Sequence, residues 1–124
     1  MEKINLEALK KELEKLYDDF HRDLPAGESP QEVNELRQMA AHATSSMLTL
    51  SLYRRALEEY IRKKEAEVIL AHNMAHDVPT PKDQSMQAFL NQALAEEKSY
   101  FHQLEAMIDI AKTRTLLIMS LLKN

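Results

Sequence analysis

The sequence predicts an all-α protein, a short N-terminal helix followed by a long antiparallel helical hairpin that self-associates into a helical bundle. Three observations carry that expectation. The 124 residues contain one glycine and four prolines, so places to turn sharply are few. Strong helix formers dominate, while three valines, six isoleucines and five threonines are too few for a sheet. Apolar residues also recur at alternating steps of three and four along most of the chain, the spacing of one helix face.

The first helix is expected over about residues 5–23. Leu6, Leu9, Leu13, Leu16 and Phe20 form its seam, and Asn5 can cap it. Leu24-Pro25-Ala26-Gly27-Glu28 holds the only glycine, so the chain turns there. Ser29-Pro30-Gln31-Glu32 then reads as a capping box, with proline where its missing N–H does no harm.

A second helix is expected over about 30–77, with the seam Leu36, Ala40, Ala43, Met47, Leu50, Arg54, Leu57, Ile61, Lys64 and Val68. Its one soft spot is Thr44-Ser45-Ser46 with Thr49 and Ser51, where hydroxyls can bond back to the preceding turn and bend or break the helix. Thr80-Pro81-Lys82-Asp83 repeats the capping pattern. A third helix is expected from about 81 to 122, carrying Met86, Leu90, Leu94, Glu97, Phe101, Leu104, Ile108, Ala111, Thr115, Ile118 and Leu122.

Helices of about 45 and 40 residues are each on the order of 60–70 Å long at ~1.5 Å per residue. The first helix covers less than half of such a hairpin, so copies of the chain are expected to cover the rest. Leu116 to Leu122 is apolar around nearly the whole helix, as at a helix end buried among several neighbours. Its shortness rules against a membrane span, and no signal-peptide pattern precedes the first helix; the expectation is a soluble, cytoplasmic, single-domain chain, 1–124.

Composition excludes several chemistries. A Walker loop or dinucleotide fingerprint needs more than one glycine, and without cysteine there is no disulfide, thiol nucleophile or thiolate zinc site. A formal charge of −4 with both signs interleaved does not by itself call for nucleic acid. His72 and His76, four apart with Asp77 adjacent, have the one-face spacing of a metal pair, but the sequence fixes no third ligand and histidine suits a helix C-terminus anyway. Arg37 and His42 have the loose spacing of the HEPN helical ribonucleases, yet fall in the first third of the chain, whereas that motif lies late in its domain. No enzyme and no cofactor are expected. Arg54 and Lys64 lie in the seam of helix two and Glu97 in that of helix three; within about one turn Glu97 reaches Lys64, and such charges set register. Arg55, Arg62 and Lys63 project from the opposite side as a strip that can contact phosphates, with Tyr53 and Tyr60 beside them as stacking platforms.

Taken in order, Leu6-Glu-Ala-Leu-Lys-Lys-Glu-Leu13, Leu52-Tyr-Arg-Arg-Ala-Leu57, Arg62-Lys-Lys-Glu65, Ala111-Lys-Thr-Arg114 and Ile118 resemble the small helical recombination-mediator proteins of large tailed phages. That resemblance implies a ring-forming, non-enzymatic accessory factor of phage-type DNA recombination or replication that binds single-stranded DNA and a recombinase. It marks Arg54, Arg55, Lys63, Lys64, Lys112 and Arg114 as DNA-facing, although the seam positions of Arg54 and Lys64 argue otherwise. The rival expectation is a helical adaptor or inhibitor, such as an anti-defence or regulatory factor, that binds only another protein.

Overall fold

Four helices follow one another in the computed structural model, which describes residues 5–76 and 84–123 without the side chains of residues 73–76, 84 and 85. Helix α1 spans Leu6–Phe20, α2 Pro30–His76, α3 Gln84–Ala93 and α4 Ala95–Leu122. Among the described residues every regular element is helical, and no helix is long and apolar enough to cross a membrane.

Local chemistry accounts for the helix starts. The Asn5 side chain accepts from the Ala8 N–H at 3.1 Å, and the Ser29 hydroxyl accepts from the Glu32 N–H at 3.1 Å. Glu32 returns the bond one residue early, to the Glu28 N–H at 3.1 Å, so the box also ties down the chain entering α2. In that entering strap Gly27 has φ +82°, a left-handed conformation that only glycine adopts freely, and a Cβ there would stand 3.1 Å from Leu36 Cδ1. The second capping sequence, Thr80 to Asp83, lies outside the described residues.

Helix α2 is unbroken for 47 residues, about 70 Å at ~1.5 Å per residue. Thr49 and Ser51 do bond back, to the carbonyls of Ser45 and Met47 at 3.3 and 2.8 Å, without interrupting the helix. Leu36, Ala43, Leu50, Leu57 and Ile61 bury the seam against α4, where Leu104, Ile108, Ala111 and Ile118 are buried in turn. The one helix expected over 81–122 is instead two. Leu94, with φ −117° and ψ 26°, separates α3 from α4 while hydrogen bonds from its N–H to Leu90 and from Lys98 to its carbonyl run through the bend. Lys98 braces this bend, donating to Asn91 at 2.7 Å and pairing with Glu65 of α2 at 3.2 Å.

Helix α1 ends at Phe20, three residues short of expectation, and is held there from outside. The Arg114 guanidinium, 9% exposed, donates to the carbonyls of Phe20 and Arg22, both at 2.8 Å. The Phe20 carbonyl is one of the orphan carbonyls of the helix end, where a cation also meets the negative pole of the helix dipole, and the Arg22 carbonyl lies just beyond it. On the other flank, His42 of α2 lies 3.2 Å from Asp19 and its ring 6.0 Å from that of Phe20. Leu9, Leu13, Leu16 and Phe20 thereby join the core formed by α2 and α4. The C-terminal apolar segment is covered on one side only: Ile118 is buried, while Leu116, Leu117 and Met119 stand exposed in the single chain.

Candidate functional site

A concave surface runs beside α4. Its central part, about 670 Å³, lies between α1 and α4, with Leu13, Met107 and Ile110 as floor and Tyr17 and Tyr100 among its walls. Shallower depressions flank it along α4, one toward Ala95 lined mainly by polar side chains, Asn91, Lys98, Ser99 and His102 among them, and one toward Leu117. The apolar central part follows α4 from Tyr100 to Ile110, about 15 Å at ~1.5 Å per residue. Tyr17 is 54% exposed, its ring stacked on His21 at 4.0 Å between centroids.

The charges sit at the rim. Lys10, Glu14 and Asp18 are spaced by four along α1, which puts them on one edge, and Asp109 lies at the Leu117 end. The apolar floor is thus bordered by charges of both signs, with Lys98 and His102 at the Ala95 end.

Burial of Arg114 pushes its pKa below the ordinary arginine value, against the opposing pull of Asp19. This residue was expected to face DNA; its guanidinium is turned inward and occupied by the end of α1. The other basic candidates are on the surface. Arg55, Lys63 and Lys112 are exposed, and Arg62 is exposed but paired with Glu58 at 3.0 Å.

The seam charges differ from expectation. Arg54 stands exposed, since a guanidinium left between Leu50 and Leu57 at the α4 interface would lack a partner and stays in water. Lys64 pairs within its own helix with Glu67 at 3.3 Å and lies 5.7 Å from the Tyr60 ring centroid. The ion pair that joins α2 to α4 is Glu65–Lys98, one residue on in each helix from the expected Lys64–Glu97 pair. His72 has its ring 5.9 Å from that of Phe89, and the His76 side chain lies outside the described residues. Among the described residues no three of His, Asp and Glu converge to hold a metal ion.

The groove was not anticipated, although a signal for it exists. Tyr100, Gln103, Met107, Ile110, Arg114, Leu117 and Leu121 form a second stripe at alternating steps of three and four on α4, beside the seam that faces α2. Fold and surface together define a small all-helical protein with an apolar pocket between α1 and α4. Neither a model of a known protein family, nor a curated protein, nor a solved structure matches the chain.

Proposed function

We propose that this chain is a non-enzymatic binding protein that holds an amphipathic helix of a protein partner in the groove along α4. In this reading α2 and α3–α4 are the two arms of an antiparallel hairpin, and α1 is the wall that turns one flank of it into a groove. The observation that carries the proposal is the apolar pocket between α1 and α4, about three helical turns long and lined by Leu13, Met107 and Ile110. A partner helix that fits it presents apolar residues at steps of three and four, with basic residues placed to meet Glu14, Asp18 and Asp109.

The test is selection of helical peptides from a displayed library, followed by titration against the parent chain and two variants. Selected peptides are expected to lose binding to Ile110→Glu and to keep it with Leu48→Ala on the far side of the molecule. Peptides indifferent to Ile110→Glu would remove the groove from the account.

The second reading, an accessory factor of phage-type recombination that binds single-stranded DNA and a recombinase, is supported by one observation. Arg55 and Lys63 are exposed and, among the described residues, make no ion pair. Its test is a gel shift with a single-stranded oligonucleotide at low salt, where phosphate contacts are strongest. Changing Arg55, Arg62 and Lys63 together to Gln is expected to lower the salt slope of any such binding by about one unit per lost contact. No shift for the parent chain at low salt overturns this reading.

A further inference from the structure

The back of α2, turned away from α4, carries an apolar and charged stripe that the described chain leaves exposed except at Ile69, which is half-buried. Ser45, Leu48, Leu52, Arg55, Glu59, Arg62, Ala66 and Ile69 follow one another at steps of three and four in strict alternation. That is the spacing of a coiled-coil seam, set on the side of the helix opposite Leu50 and Leu57. Leu48 and Leu52 are 65% and 70% exposed, and Arg55, Glu59, Arg62 and Ala66 are exposed as well.

The spacing of the stripe is also its own mirror, and about position 57 the mirror brings opposite charges together. Reversed about position 57, Arg55 exchanges with Glu59, Leu52 with Arg62, Leu48 with Ala66 and Ser45 with Ile69, so every seam position falls on another seam position. Two copies laid antiparallel therefore interleave along the whole stripe, about 36 Å at ~1.5 Å per residue. At the centre each Arg55 meets the partner's Glu59, two identical ion pairs related by the two-fold axis. In the single chain neither residue has an ion-pair partner among the described residues. A parallel pairing would instead stack Arg55 on Arg55 and Glu59 on Glu59. The outer pairs set Leu48 over the small Ala66 and Leu52 along the aliphatic stem of Arg62, whose guanidinium stays with Glu58 in water.

We infer that the occupant of this face is a second copy of the same chain, forming a two-fold antiparallel dimer through the backs of the two α2 helices. The interface is isologous: each copy supplies both the donor and the acceptor of the central pair. It is separate from the groove along α4, so the dimer stands or falls independently of what that groove binds.

Charge reversal with rescue, read by sedimentation equilibrium, tests the proposal. The parent chain is expected to be dimeric at micromolar concentration. Arg55→Glu and Glu59→Arg alone are each expected to raise the dimer dissociation constant about tenfold or more, because each sets like charges against one another at the axis. The double reversal, R55E with E59R, is expected to return it to within about threefold of the parent, since the swapped charges are again complementary. All these residues are exposed, so circular dichroism should report unchanged helicity. A second arm uses the absence of native cysteine. Leu48→Cys with Ala66→Cys in one chain is expected to give an oxidised covalent dimer. The two positions lie about 27 Å apart on one helix, at ~1.5 Å per residue, and cannot close on themselves. A parent chain that stays monomeric at about 100 µM overturns the proposal, where a dimer of biological weight should be populated. So does a double reversal as weak as the single ones, or efficient linkage by Leu48→Cys alone, which would mean a parallel pairing.

Discussion

Arg114 of α4 donates to the Phe20 carbonyl at 2.8 Å and so fastens the end of α1 to α4, ninety-four residues away in sequence. A second bond, to Arg22 at 2.8 Å, holds the start of the strap that leads to α2. The guanidinium is the only kind of side chain that reaches both carbonyls from one buried position, because its donors diverge in a fixed plane. Arg114→Met is therefore expected to lower stability by about 2–3 kcal/mol, leaving two carbonyls short of donors. Urea unfolding measures it, and limited proteolysis in the strap of residues 21–29 should accelerate in the variant. Arg114→Lys should recover less than half of the loss, since a single ammonium cannot reproduce the fork.

Gly27 offers a second, independent check on how α1 is joined to α2. Its φ of +82° disfavours any residue with a Cβ, and Leu36 Cδ1 stands 3.1 Å from where that Cβ would be. Gly27→Ala is expected to cost about 1–2 kcal/mol in thermal or urea unfolding, more than the gain that alanine brings by restricting the unfolded chain. A variant as stable as the parent would mean that the strap can be rebuilt without left-handed backbone.

The phase of α2 is tested by contrasting two leucines. Leu57 is fully buried against α4 and Leu52 is 70% exposed on the back of the helix. Leu57→Ala is expected to destabilise by about 2–5 kcal/mol, whereas Leu52→Ala should change the unfolding of the single chain by no more than about 0.5 kcal/mol. Equal effects at both positions would place the core on the wrong side of the helix.

Glu65 and Lys98 make the one ion pair between α2 and α4 among the described residues, with side chains about a quarter exposed. A double-mutant cycle with Glu65→Gln and Lys98→Met is expected to give a coupling of about 0.5–1 kcal/mol that shrinks as salt is raised. Because Lys98 also donates to Asn91 across the bend at Leu94, its substitution should lose more than that of Glu65.

Much of the fold is legible in the order of residues. The three-four spacing picked out Leu36, Ala43, Leu50, Leu57 and Ile61 on α2, and Leu104, Ile108, Ala111 and Ile118 on α4, all of which are buried. Asn5 and Ser29 marked the helix starts because a short polar side chain before an apolar repeat has one favourable use, to accept from the first free N–H groups. The all-helical class follows from composition, since strong helix formers dominate and the chain holds one glycine and four prolines.

Where sequence reasoning stopped, a phase or a third neighbour decided. The expected Lys64–Glu97 pair became Glu65–Lys98, a shift of one residue in each helix that rotates a side chain by about 100°. Apolar spacing bounds the phase of a helix only to the width of its stripe, and packing against the other helix sets the rest. The bend at Leu94 has no glycine or proline to announce it, and the groove depends on which of two stripes on α4 receives α1. Arg114 looked like a surface cation because charge alone suits it to water. Only the arrival of the α1 carbonyls at that point makes burial favourable, and those carbonyls lie too far along the chain for any local pattern to bring them there. By itself, then, the sequence determined that the chain is helical, where two of its helices begin and which residues line the α2–α4 seam. The tertiary structure alone decided which helix lies on which stripe, since that choice depends on contacts between residues that are distant in sequence and become neighbours only on folding.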